Sequence, residues 1–492
     1  MSAASHGELV ELLKDQRLFS EFEGEDWATF FAILTERTVS AGEAIVRQGD
    51  EGGTAFVVVK GQCLLYRANH LIRRYGAGDC FGELSLFAER RRLETIVADT
   101  PVTLLCMRAA DLNDASQIPS ALAKKLYKGI AHNASGYLGA NSSLYQNMEV
   151  LIVQDGGCAP GYNPVTAFLS EYLEKAGHRV FVAASGFRSL VTDRAEDYRC
   201  LVYGKETFAQ LDHIPGVLFS PPLRDLRGAN FRSERYPQFR SEALQQQAAK
   251  HIKQRNVKVL IGVGGNGTCA GTHALSRFLD DDVQVFFIPV TIDSDVSGTE
   301  CIGEYTGVEY GAEKLRCYMA DARTHRRLYI IEMMGASGGY HALHSCLGAG
   351  AHLAVLPNHE YDLPALVEAL QDRQGTVIVV AEGYKAAQRK AQGHGGNAAE
   401  FFRDELLANG LQTQQKIVCE PFSRDIRGAS PNNMDIALAQ RMAGKLVELV
   451  QAGQSGQMPA VQSGRAFSIA FDDIDTDNSV AAELAALANR LT

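Results

Sequence analysis

At Met148 the hydrophobic rhythm of the chain changes, and few architectures satisfy both halves. Downstream, apolar runs of strand length alternate with long amphipathic stretches. The runs are EVLIVQ, VKVLIGV, VQVFFIPV, RRLYIIEMMG, AHLAVLP and TVIVVAEG, with SEALQQQAAKHIKQR, GVEYGAEKLRCYMADA and AAEFFRDELLANG among the helical stretches. Continuous Val, Ile and Leu runs belong to strands buried on both faces. Their alternation with helices predicts a doubly wound, mostly parallel α/β sheet, with ligands beyond the C-terminal strand ends. Upstream, from about Gly42 to Leu112, the runs are short and broken by glycines. AFVVVKGQCLLYR carries β-rich segments on either side of Lys60-Gly61, a hairpin signal, and LIRRYGAGDCFGELSLF and ETIVADTPVTLLCMR continue the spacing. That half predicts a small β barrel or jelly roll. Helical text flanks it, HGELVELLKD and EDWATFFAILTE before and PSALAKKLYKGIAHNASGYL after.

The expected division is therefore a β domain over 1–135, a polar linker over 136–147, an α/β domain over 148–460 and an extension over 461–492 ending in a helix, AAELAALANRLT. With 48 Lys and Arg against 58 Asp and Glu, the net charge is −10. That excludes a broad nucleic-acid surface, which needs clustered cations, but not a small anion held by a few arginines. No apolar run approaches the length of about 18 residues that marks a membrane span, and the N-terminus lacks a secretion pattern. The ten cysteines form no CxxC pair, so reduced thiols in a cytoplasmic protein are the expectation. His341, His344, His352 and His359 cluster loosely without an HExxH, which reads as ordinary histidines rather than a zinc site.

In the β half, Phe81-Gly82-Glu83-Leu84-Ser85-Leu86 precedes Arg90-Arg91-Arg92-Leu93-Glu94-Thr95. A Gly-Glu turn opening a short helix leaves backbone N–H groups for an anion, and an arginine shortly after adds charge-assisted bonds. The string resembles the phosphate-binding cassette of cyclic-nucleotide-binding domains over about residues 15 to 130. That resemblance makes Arg92 the phosphate arginine, Glu83 the ribose acceptor, and Gly82, Leu84 and Thr95 the rest of the cassette, with cAMP or cGMP as the effector. Leu93 and Glu94 depart from the small residues usual there, so a β module that has lost its nucleotide stays open.

In the α/β half, glycine-rich strings follow strands. EVLIVQ runs into Asp155-Gly156-Gly157-Cys158-Ala159-Pro160-Gly161-Tyr162-Asn163, and VKVLIGV into Gly264-Gly265-Asn266-Gly267-Thr268. Such turns let backbone approach a phosphate. VQVFFIPV ends in Thr291-Ile292-Asp293-Ser294-Asp295, two carboxylates that can divide proton acceptance from metal holding. RRLYIIE ends in Met333-Met334-Gly335-Ala336, and TVIVVAEG in Glu382-Gly383.

In this order, with RGANFRSERYPQFR and the late SRDIRGASP, the strings resemble 6-phosphofructokinase over about residues 148 to 455. The resemblance implies phosphorylation of fructose 6-phosphate to fructose 1,6-bisphosphate with Mg²⁺. Asp293 would be the general base and Thr291 would contact the transferring phosphoryl group. Arg235 would neutralise transition-state charge, and Gly157, Gly265, Asn266, Gly267 and Thr268 would cradle the donor. Asn266 and Asp295 would face the metal. Arg327, Arg424 and Arg427 would clamp the sugar phosphate, with Met334, Gly335 and Glu382 shaping the sugar site. Arg327 would come from a neighbouring subunit, implying a homo-oligomer.

Three positions depart from the family: Asn266 stands for an aspartate, Ala336 for an arginine and Arg424 for a histidine. Gly267 and Val290 stand where pyrophosphate-using members carry aspartate and lysine, which favours ATP. The leading expectation is an ATP-dependent kinase regulated through its N-terminal module. A pyrophosphate-dependent transferase and a catalytically weak regulatory binding protein are the alternatives.

Overall fold

The computed structural model describes residues 3–14, 16–19, 21–67, 70–86, 91–92, 94–114, 118–131, 146–194, 197–203, 218–422, 424–475 and 479–491. The expected linker at 136–147 lies mostly outside these residues. Two compact units emerge: Met1–Asn147 together with Arg199–Ser220, and Met148–Tyr198 together with Pro221–Thr492.

The first unit holds eight strands in its N-terminal part: β1 (Thr35–Val39), β2 (Ala44–Val46), β3 (Thr54–Lys60), β4 (Cys63–Arg67), β5 (His70–Tyr75), β6 (Cys80–Phe81), β7 (Thr95–Ala98) and β8 (Val102–Arg108). They form two four-stranded antiparallel sheets in the orders β1-β8-β3-β6 and β2-β7-β4-β5, the jelly-roll pattern. Gly61 turns the β3–β4 hairpin at φ +93°, where an added Cβ would overlap the Pro101 carbonyl. Val57, Leu105 and Met107 from the strands share one core with Leu9, Leu13, Trp27, Phe30, Leu122 and Leu126 from the flanking helices. The helical reading of EDWATFFAILTE runs too far. The helix covers Gly24–Ala32, and Thr35–Val39 instead pairs with β8, Thr35 opposite Cys106. Two β-branched threonines and Val39 favour a pleated edge over another helical turn. Two short strands, β11 and β12, come from the later excursion and are given below.

The second unit is α/β. Its larger sheet begins with β9 (Glu149–Gln154) and β10 (Val180–Ala183). After them come β11 (Tyr198–Leu201) and β12 (Leu218–Phe219), which pair in parallel with Cys200 opposite Leu218. The sheet resumes with β13 (Val257–Gly264) and β14 (Gln284–Pro289). A smaller parallel sheet contains β15 (Leu328–Met333), β16 (Leu353–Val355), β17 (Thr376–Ala381) and β18 (Ile417–Phe422) in the order β16-β17-β15-β18. The chain then returns to the larger sheet with β19 (Gln457–Gln462), parallel to β14, and β20 (Arg465–Ala470), antiparallel to β19. The order there is β10-β9-β13-β14-β19-β20. Every residue of β17, and all of β13 but Lys258, is buried, as continuous apolar runs require. The C-terminal helix is shorter than its alanine-rich text suggests, covering Ala482–Leu487. Asn489 then bridges to Leu353.

Among the described residues no helix is long and apolar enough to cross a membrane. Among the described residues no cysteine is in a disulfide.

Candidate active site

Strands β9, β13 and β14 are neighbours, and their C-terminal ends open onto one cleft of about 630 Å³. It is lined by Asp155, Gly156 and Gly157 after β9, Gly265–Thr268 after β13, and Thr291, Asp293 and Asp295 after β14, with Arg235 and Arg427 reaching in. Ten residues singled out from sequence thus share one cavity.

The glycines are there for close approach. A Cβ at Gly264 would overlap Thr268 Oγ1 and the Asp155 carbonyl. One at Gly157 would lie 2.8 Å from Arg427 Nη1 and 3.1 Å from Arg235 Nη2. The Gly157 backbone thus runs close to both guanidinium groups, so an anion there meets two cations at once. Gly265 caps the helix Asn266–Ser276, whose first N–H groups face the cleft with the positive end of the helix dipole. At Gly267 a Cβ would meet nothing within 4 Å, so the space beside it is open.

Thr291 knits the acidic loop together. Its Oγ1 donates to Asp295 Oδ1 at 3.0 Å and accepts from Asp293 N at 3.0 Å. Ser294, between the carboxylates, sits at φ +49°, a conformation non-glycine residues keep only when their surroundings demand it. Asp293 is pushed up to about 6, chiefly by burial, with Asp295 and Glu382 adding to the rise and Arg427 and Arg235 opposing it. Arg427 Nη2 lies 3.8 Å from Asp293 Oδ2, and its Nη1 donates to the Cys158 carbonyl at 3.1 Å. The result is a carboxylate near an arginine, ionised at neutral pH yet readily protonated, which is what a general base needs.

Glu382 Oε1 accepts from Gly335 N at 3.2 Å and Ala336 N at 2.8 Å, joining the ends of β15 and β17. Met334 is half-buried beside them. Arg424 is exposed at the start of the short helix Arg424–Arg427. Arg327 donates to Asp321 Oδ2 and to the Tyr329 hydroxyl, each at 3.2 Å. None of Arg327, Met334, Gly335, Glu382 and Arg424 lines the 630 Å³ cleft.

Two carboxylates escaped the sequence reading. Asp155 lines the cleft and is pushed up to about 6 by burial. Asp435, fully buried, caps the helix Glu304–His325, accepting from Gly303 N at 2.8 Å and Thr306 N at 2.7 Å. Ile302, next to Gly303, receives the Thr291 N–H at 3.0 Å, so Asp435 anchors the backbone that carries Thr291. The signal for it was a lone aspartate among the apolar positions of NNMDIALAQRM.

Among the described residues no three His, Cys, Asp or Glu side chains gather closely enough to cage a metal by themselves. The cleft nonetheless presents oxygen donors, the Asp295 carboxylate and the Asn266 amide. That sparse set suits Mg²⁺, which keeps waters and takes its remaining ligands from substrate phosphates.

In the N-terminal unit, Arg92 Nη2 donates to the Thr54 carbonyl at 2.5 Å and Nη1 to Ser85 Oγ at 3.0 Å. Its guanidinium lies 5.8 Å from the Phe56 ring centre. Burial lowers its pKa. Glu83 is buried at the start of the 3₁₀ turn Glu83–Leu86, after Gly82 at φ +80°. Thr95 Oγ1 accepts from Gln48 N at 3.0 Å. The Leu84 side chain lies outside the described set.

A family model for phosphofructokinase matches residues 149–450, and one for the cyclic nucleotide-binding domain matches 36–117. The ATP-dependent 6-phosphofructokinase 1 of Clostridium perfringens is 24% identical over 350 residues, covering 70% of this chain and 99% of that protein. Pichia pastoris phosphofructokinase in the T-state superposes with a TM-score of 0.54 at 20% identity, over 66% of this chain and 35% of that one. This chain therefore spans about a third of that structure's length. A pyrophosphate-dependent phosphofructokinase from Nitrosospira multiformis superposes with a TM-score of 0.56 at 17% identity, over 70% of this chain and 92% of that one.

Proposed function

Because the chain belongs to the phosphofructokinase family, we propose that it transfers the γ-phosphoryl group of ATP to the 1-hydroxyl of fructose 6-phosphate, forming fructose 1,6-bisphosphate and ADP. The observation that carries this reading is the placement of Asp293 in one cleft with Arg235, Arg427 and the Gly265–Thr268 helix start. A base, two cations and a phosphate cradle are the parts that phosphoryl transfer needs.

Asp293 accepts the proton of the attacking hydroxyl, held by the N–H bond to Thr291 and kept ionised at neutral pH with Arg427 nearby. Arg235 and Arg427 meet the charge that spreads over the transferring group, a stabilisation that counts most where water is excluded. Gly157 and the start of the helix Asn266–Ser276 hold the donor phosphates. Asp295 and Asn266 would hold Mg²⁺, which when bound neutralises phosphate oxygens. Glu382, Gly335 and Met334 bound the sugar side, with Arg424 at its rim. Open space at Gly267 favours a nucleotide over pyrophosphate.

Arg327 lies outside its own chain's cleft, and we read it as serving the sugar-phosphate site of a second copy in a homo-oligomer. The N-terminal unit would bind a cyclic nucleotide at Gly82–Leu86, with donors of Arg92 that Thr54 and Ser85 leave over. Regulation then requires that the nucleotide bind two states of the enzyme with different affinity.

The test is fructose 1,6-bisphosphate formation by the purified chain with Mg²⁺, ATP and pyrophosphate run in parallel, each with and without cAMP or cGMP. Turnover with ATP is the expected result. Silence with both donors in a folded protein would leave a sugar-phosphate-binding regulator, for which Asn266 and Ala336 are the residues to blame.

A further inference from the structure

Asp155 is a buried carboxylate in the cleft that phosphoryl transfer, as laid out above, does not use. It ends β9, is 7% exposed and faces the cavity. Its Oδ1 lies 3.4 Å from Phe187 N and its Oδ2 lies 3.5 Å from Thr268 Oγ1. The carboxylate thus sits between Phe187 and Thr268. Thr268 belongs to the phosphate cradle, whereas Phe187 is stacked in parallel on Phe239, ring centres 4.2 Å apart. The two rings, with Ala270 and Ala274, make a flat apolar wall of the kind that receives a heteroaromatic base.

A nucleoside triphosphate with its phosphates on the helix start and its base against that wall puts its sugar at the junction, beside Asp155. We propose that Asp155 selects the phosphoryl donor, accepting a sugar hydroxyl of a nucleotide and repelling a bare polyphosphate. The inference rests on the ATP reading above and adds to it the group that enforces it.

The chemistry is one-sided. An ionised carboxylate offers only acceptors, so a hydroxyl satisfies it and a phosphate oxygen does not. Within the protein, Glu234 adds to the negative field on Asp155 while Arg235 relieves it, and a further anion placed there would have to be held against two carboxylates. Burial holds the group near 6, so at neutral pH it carries the charge that this selection needs.

The experiment is calorimetric titration of the full-length chain with ATP, 2′-deoxy-ATP, 3′-deoxy-ATP and pyrophosphate, repeated on Asp155→Asn and Asp155→Ser. The wild-type chain should bind at least one deoxy analogue about tenfold more weakly than ATP, the scale of one hydrogen bond to a charged group. In Asp155→Asn, which keeps an acceptor oxygen but loses the charge, that gap should narrow, and Asp155→Ser, too short to reach the hydroxyl, should bind the three nucleotides within about twofold of one another and pyrophosphate at least about tenfold more tightly than wild type. Equal binding of all three nucleotides by wild type, or an undiminished preference in both variants, overturns the assignment of Asp155 alone. No ATP binding by wild type, together with turnover on pyrophosphate, overturns the donor reading and this inference with it. Comparing analogues on the wild-type chain keeps the test alive should either variant fold poorly.

Discussion

Burial raises the Asp293 carboxyl to about 6 against an ordinary value of 3.8, and two opposite consequences follow at this one residue. A raised acid stabilises the fold in its protonated form. That contribution is complete below about 3.8 and is lost as pH rises through about 6, so at neutral pH the fold holds an ionised carboxylate at a cost. Asp293→Asn should therefore raise the Tm at pH 7.5, with the gain gone by pH 4, as scanning calorimetry would show. The same change should lower kcat by about 10²–10⁴, the worth of a general base. In wild type, turnover should decline as pH falls through about 6. At Asn266 an amide stands beside the cleft, and Asn266→Asp should tighten Mn²⁺ binding in the presence of nucleotide, read by electron paramagnetic resonance. An unchanged affinity would mean that Asp295 already supplies what the metal needs.

Two predictions belong to elements. The helix Asn266–Ser276 has open space at Gly267, and an acid in a first helical turn is favourable by about 0.3–1 kcal/mol. Gly267→Asp should thus melt no lower than wild type while weakening ATP binding at least about tenfold, a split between stability and affinity that a misfolded variant could not give. Asp435 satisfies N–H groups at the start of the helix Glu304–His325. Asp435→Ala strands them and should cost about 3 kcal/mol in chemical denaturation, with Asp435→Asn costing less. The contrast between the two elements explains what sequence could and could not tell. The glycine-rich turns that line the cleft were legible because glycine, helix start and strand end are adjacent in the chain, and β9, β13 and β14 announced themselves as continuous apolar runs. Asp435 and Asp155 were not legible as functional groups. Their roles depend on partners more than a hundred residues away, Gly303 and Thr306 for one and Thr268 for the other. The β1 strand was missed for a related reason, since its alternation makes sense only once β8 lies beside it.

For the whole molecule, the telling experiment is ligand linkage. A cyclic nucleotide at 100 times its Kd adds about 2.7 kcal/mol to whatever unit binds it, enough to move a melting transition by several degrees. The full-length chain should show that shift with cAMP or cGMP, and Arg92→Ala should abolish it. Since Arg92 also bonds Thr54 and Ser85, the unliganded variant should melt lower as well. A missing shift in wild type would mean that the β module has become a structural partner of the kinase.

Residues 199–220 cluster with the first unit although the chain has already entered the second at Met148. The polypeptide consequently crosses between the two bodies three times, not once. A unit hung on a single tether can be exchanged or cleaved away by one cut, whereas these two units are joined at three points of the chain. A chimera that exchanges the first unit therefore has to replace two segments, 1–147 and 199–220, to be a fair exchange.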